Sequence, residues 1–251
     1  RASSGSVRDY VLGVHLLDGK GDVLQFGGQV MKNVAGYDVS RLLAGSMGQL
    51  GVIVEVSLKV QPLPVADLTL VLEATQAQAL QRLNAWAALP LPLNASAWLA
   101  DGDDATGAGD GQLFVHLRGA QAAVASAHQR LAQEGARAVE FSAANALWPS
   151  LREHTHQFFS LPPGMAMWRL SVPDTCPPLP MGVAPLLEWG GAQRWVKAPV
   201  SAAASLRAMA EAAGGHATLF RCAVGEGHAT AVFTPLSPAL ARIHRQLFAQ
   251  L

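Results

Sequence analysis

The stretch GGQVMKNVAGYDVSRLLAGSMGQLGVIVEVSLKV, residues 27–60, decides how this chain is read. Gly36-Tyr37-Asp38 runs into a short helical pattern (Val39, Leu42, Leu43), and Asp38 stands where a side chain can accept a backbone N–H at a helix start. Gly45, Gly48 and Gly51 follow at every third position, with Ser46 between the first two. Val52-Ile53-Val54 then opens a β-branched run of the kind that forms strands. Glycines so spaced let a backbone turn sharply and approach a ligand, leaving amide N–H groups to bind it.

Working outward, residues 10–17 and 22–26 are strand-like, and Asp18-Gly19-Lys20-Gly21 between them marks a hairpin. Residues 51–60 form the next strand, closed by Gln61-Pro62-Leu63-Pro64, where a domain boundary is placed: residues 1–64 and 65–251. Beyond it strands and helices alternate. Strands are expected at 67–73, 112–118, 138–141, 165–172, 186–189, 192–197, 217–223 and 229–233. Helices are expected at 75–88 (capped by Thr75), 120–133, 143–157 (broken at Pro149), 201–213, and from Ser237-Pro238 onward. In the last helix Leu240, Ile243 and Leu247 are expected to face inward. The order lacks the regular βα repeat of a doubly wound sheet, so the predicted class is α+β, an antiparallel sheet with helices on one side.

Composition bounds the function. Half of the 251 residues are hydrophobic and 14% charged, enough for a sizeable core. Eighteen acids balance eighteen bases, and no basic footprint for nucleic acid is present. No apolar run approaches a membrane span, and the chain is expected to be cytoplasmic. Cys176 and Cys222 lie in no C-x-x-C pattern and fall short of the roughly four thiolates an iron–sulfur cluster takes. Gly107-Ala108-Gly109-Asp110-Gly111 lacks the third glycine of a dinucleotide fingerprint, and Asp101-Gly102-Asp103-Asp104 is not an EF-hand loop. His154 and His156 form an H-x-H pair that a helix would split between faces, with no third metal ligand nominated; His216 and His228 suit packing.

Three strings carry a resemblance: Met31-Lys32-Asn33-Val34-Ala35-Gly36-Tyr37-Asp38, Glu188-Trp189-Gly190-Gly191-Ala192-Gln193-Arg194-Trp195, and His216-Ala217-Thr218-Leu219-Phe220-Arg221. In this order they resemble flavin oxidoreductases of the vanillyl-alcohol oxidase and D-lactate dehydrogenase type, and within them the FAD-binding E-subunit family of bacterial glycolate oxidases. The resemblance implies the C-terminal part of a PCMH-type FAD-binding domain followed by an antiparallel-sheet cap domain with flanking helices. It implies FAD as cofactor, held by Gly45, Ser46, Gly48, Gly51, Val52 and Ile53 mostly through backbone, with Val52 and Ile53 toward the adenine end. Lys32, Asn33 and Tyr37 belong to the same motif.

The implied reaction is oxidation of glycolate or a related 2-hydroxy acid to the 2-oxo acid, with a homologous flavin subunit and an iron–sulfur subunit as partners. The competing expectation is an assembly or electron-relay subunit whose paralogue does the chemistry. Relatives carry an earlier pyrophosphate loop and a later D-P-x-x-x-x-N-P-G-R type tail, so both ends read as cut, and the fragment is expected to be purified without flavin. Arg169, Arg194 and Arg221 are the candidates to hold a substrate carboxylate, since guanidinium pairs bidentately with it. Arg194 and Trp195, adjacent on a strand, must point to opposite faces.

Overall fold

The computed structural model of the chain describes residues 5–29, 37–101, 109–223 and 230–249. The chain divides into a smaller unit, spanning the residues up to Leu63 together with Leu236–Leu251, and a larger one, Pro64–Pro235.

In the smaller unit, β1 (Val11–Leu17) is flanked by β2 (Val23–Gly27) and β3 (Val52–Leu58), both antiparallel to it. The helix α1 (Val39–Leu43) covers one face, where Val11, Val14 and Leu16 are buried with Leu43. β3 is an edge strand, and Val52, Ile53, Val54, Val56 and Leu58 are all exposed. The C-terminal helix, Pro238–Phe248, starts as expected at Ser237, whose hydroxyl accepts the Leu240 N–H. Its apolar stripe does not face inward: Leu240, Ile243 and Leu247 are exposed.

The larger unit holds an eight-stranded, antiparallel sheet. Its strands are β4 (Ala66–Glu73), β5 (Leu93–Ala100), β6 (Gly111–Gly119), β7 (Arg137–Ala138), β8 (Ala166–Ser171), β9 (Leu186–Glu188), β10 (Gln193–Ala198) and β11 (His216–Arg221). They lie in the order β11-β8-β10-β9-β5-β6-β4-β7. One face is covered by α2 (Gln76–Ala87), α3 (Gln121–Gln133) and α5 (Ala203–Ala212). Leu80, Leu83, Trp86, Val124 and Leu131 pack on Leu70, Leu72, Trp98, Leu113 and Leu117; Leu206 and Ala210 pack on Trp168, Leu170, Val196 and Leu219. Thr75 caps α2 in a reciprocal box with Gln78, satisfying two of the otherwise orphaned N–H groups of the first turn.

The predicted α+β class with antiparallel strands holds, and four local expectations change. β5 was not foreseen; it sits between β9 and β6 and takes its strand state from those neighbours. The helix α4 (Phe141–Arg152) runs through Pro149 unbroken, because it ends one turn later. It starts at Phe141 because the Glu140 carboxylate accepts the Ser142 and Ala143 N–H groups, which cuts the expected strand there to Arg137–Ala138. Of the strand expected at 229–233, the described residues form none; Val232 only accepts the Leu219 N–H. α4 also lies on the face opposite the other helices: Trp148 donates to Thr69 and stacks on His116, and Leu151 packs with Ala97 and Met167. That face is left open over β8 and β11.

Candidate functional site

The glycine cluster forms a series of tight turns. Gly45, Gly48 and Gly51 have φ of 89°, 78° and 129°, the left-handed region that glycine tolerates. Ser46 N donates to Leu43 O and Gln49 N to Ser46 O. Gly51 is constrained by packing, since a Cβ there would stand 2.7 Å from Leu17 O, while positions 45 and 48 open onto free space. Asp38 caps α1 through the Arg41 N–H, as its placement predicted. Tyr37 is almost fully exposed, and Val52 and Ile53 pair through their backbones with Leu17 and Leu16. Lys32 and Asn33 lie outside the described residues. An open turn with positive-φ glycines beside an edge strand suits a ligand bound through main-chain groups, and to that extent the described residues fit the adenine end of FAD. The other face of this sheet carries a cavity of about 50 Å³ bordered by Gly13, Gly27 and Ser57, with His15 Nδ1 3.7 Å from Glu55.

The three arginines divide between the two faces of the larger sheet. Register places Arg194 in the row Trp98–Leu187–Arg194–Leu170–Ala217, on the helix-covered face. It is fully buried and donates from Nε to Gly191 O (3.0 Å), from Nη1 to Pro177 O (2.7 Å) and from Nη2 to Cys176 O. Burial lowers its pKa, and the carbonyls hold the charge in place. Its guanidinium ties residues 176–177 and the β9–β10 turn to the sheet.

Arg169 stands on the opposite, open face, in the row Thr218–Arg169–Trp195–Leu186. Its Nε is buried without a hydrogen-bond partner, and its guanidinium carbon lies 5.9 Å from the centre of the Phe220 ring. Arg221 reaches this face by a bulge. Leu219 pairs with Trp168 on the covered face, Arg221 pairs with Met167 on the open one, and Phe220 is the extra residue between them. Arg221 Nη2 donates to Phe159 O. Phe220 is 43% exposed and meets Trp195 edge-on at 4.8 Å.

Two further groups here escaped the sequence reading. His154 is not on a helix; it follows the end of α4 with φ of 57°, the left-handed position that usually takes glycine at a helix C-terminus. The backbone thereby turns the imidazole onto Phe159 (stacked, 4.3 Å) and against Trp195 and Phe220. Desolvation, and then the neighbouring Arg221, lower its pKa, so the neutral ring is favoured. Glu188, on the same face, accepts from Trp195 Nε1 (2.6 Å) and Gln193 Nε2 (3.0 Å). Burial raises its pKa and those two bonds oppose the rise. The signals were a histidine at a helix end and an acid one residue before a tight turn; neither is specific.

His216 is exposed at the end of β11, and His228 lies outside the described residues. His154 and His156 join no metal site, as no group of three potential ligands occurs among the described residues. Both cysteines are free thiols. No described helix is long and apolar enough to cross a membrane.

Comparison with known proteins adds the following. No family model matches the chain. It is 40% identical over all 251 residues to glycolate oxidase subunit GlcE of Escherichia coli, and spans 64% of that protein's length. It is 44% identical over 66 residues, 26% of the chain and 14% of the relative, to glycolate oxidase subunit GlcD of Bacillus subtilis. It is 42% identical over 60 residues, 24% of the chain and 11% of the relative, to the mitochondrial D-lactate dehydrogenase [cytochrome] of Arabidopsis thaliana.

Proposed function

Because the chain belongs to the flavoprotein family of glycolate oxidase subunit GlcE and its D-lactate and D-2-hydroxyglutarate dehydrogenase relatives, we propose that it is an FAD-binding subunit of a complex that oxidises glycolate or a related 2-hydroxy acid to the 2-oxo acid. The observation that carries this reading is identity of 40% sustained along the entire chain. Bound FAD would supply the hydride acceptor, and the protein supplies binding, orientation and electrostatics. The turn at Gly45, Ser46, Gly48 and Gly51 and the main chain of Val52 and Ile53 hold the adenine end, with Lys32, Asn33 and Tyr37 from the same motif. Arg169 and Arg221 are available to a carboxylate; Arg194, its donors spent on backbone carbonyls, positions the sheet beneath them. Electrons leave through an iron–sulfur partner, since a cluster takes about four thiolates and this chain has two cysteines. A homologous flavin subunit completes a cytoplasmic assembly.

The test is steady-state kinetics of the full-length subunit in its complex, with Arg169→Ala and Arg221→Ala compared with wild type. A large loss of kcat/KM with assembly and flavin content intact supports substrate chemistry in this subunit. Wild-type kinetics for both variants would move the chemistry to the homologous subunit and leave this one an assembly or relay role.

A further inference from the structure

The open face of the larger sheet holds one cation that the described residues leave unspent. Arg169 has no hydrogen bond or ion pair among them, and its Nε–H is buried without an acceptor. A buried, unpaired donor on a charged group is costly, and such a group calls for an acceptor from outside the chain. The neighbouring charges are engaged: Arg221 donates to Phe159 O, Lys197 lies over the Phe158 ring at 4.9 Å, and the Glu188 carboxylate takes two donors. Beside Arg169 the wall is aromatic, formed by the half-exposed Phe220 ring with Trp195 and His154 behind it.

Resting on the reading of the chain as a 2-hydroxy acid oxidoreductase, we propose that this face is a selective monocarboxylate site. Arg169 takes the carboxylate and Phe220 receives an apolar substituent on the α-carbon. The site therefore favours a short 2-hydroxy acid with a small apolar substituent over unsubstituted glycolate, and disfavours an acid with a second carboxylate. One free guanidinium satisfies one carboxylate, and a second would be set against an aromatic ring with its charge uncompensated. A methyl group against Phe220 is worth about fourfold in affinity over hydrogen.

The experiment is a titration of the 251-residue chain, without flavin, with glycolate, D-lactate and D-2-hydroxyglutarate at constant ionic strength. It is read by the Arg169 Nε–H resonance and by tryptophan fluorescence. Lactate is expected to bind about fourfold more tightly than glycolate, and 2-hydroxyglutarate at least tenfold more weakly than lactate. Arg169→Ala should weaken lactate binding tenfold or more, and Phe220→Ala should bring lactate and glycolate level. Phe220→Leu, which keeps an apolar side chain, should restore the preference. Melting curves of each variant separate lost binding from lost folding. Binding of 2-hydroxyglutarate equal to lactate, an unchanged affinity in a folded Arg169→Ala, or no response to any acid would overturn the site. The flavin reading stands or falls separately, on reduction of FAD in the full-length complex by any 2-hydroxy acid.

Discussion

Replacing Arg194 by methionine tests the division of labour among the arginines. Methionine keeps an unbranched apolar stem but leaves the carbonyls of Gly191, Pro177 and Cys176 without their donor. Each abandoned buried acceptor costs roughly 1–3 kcal/mol, and removing a buried charge returns part of that. The net expectation is a loss of about 3 kcal/mol. For a unit of this size each kcal/mol moves the midpoint by about 2–4 °C, which gives a fall of about 6–12 °C. The assay suits the molecule, because all six tryptophans (86, 98, 148, 168, 189 and 195) lie in the larger unit and their fluorescence follows its unfolding. Arg194→Lys, able to serve one carbonyl, should fall between. Below the transition, Arg194→Met should bind a 2-hydroxy acid as wild type does. A shift under about 2 °C, or wild-type stability with lost acid binding, would refute the structural role and return Arg194 to the substrate.

Two further predictions concern the same sheet. Burial raises the pKa of Glu188 above 4.5, so between 4.5 and the folded value the unfolded chain holds fewer protons, and stability should decline as pH rises through that window. Glu188→Gln, which can still accept from Trp195, should abolish that decline in a series of urea midpoints taken from pH 4 upward. On the α4 side, Asp67 accepts from His116 Nε2 at 2.6 Å and lies 2.8 Å from Arg118 Nε. Because Asp67 is half exposed, Asp67→Ala should cost only about 1–2 kcal/mol, measured by denaturant unfolding.

What the sequence disclosed was chiefly local. Thr75, Asp38 and Ser237 marked helix starts because a cap acts within three residues of itself. The turn at Trp189–Gly191 was visible in its glycines. β5 was hidden, for Leu93-Asn94-Ala95-Ser96-Ala97-Trp98-Leu99-Ala100 has no β-branched residue, and its state is set by the strands on either side. Strand alternation required Arg194 and Trp195 to face opposite ways. Which face stays open depends on where α4 and α5 pack, and that is tertiary information. The same holds for Arg221: only the bulge at Phe220 puts it on the side of Arg169.

The exposed edge strand β3 also governs how the protein behaves in concentrated solution. Val52-Ile53-Val54-Glu55-Val56-Ser57-Leu58 combines high β-propensity, apolar side chains and an unpaired ladder edge, the makings of cross-β association between copies. Glu55 is its single charge, more than half exposed at the middle of the strand. It acts as a gatekeeper: stacking copies in register would bring like charges about 4.8 Å apart. Acidification that neutralises this carboxylate removes the repulsion, so solubility on the acid side of neutrality is governed at one position of one strand.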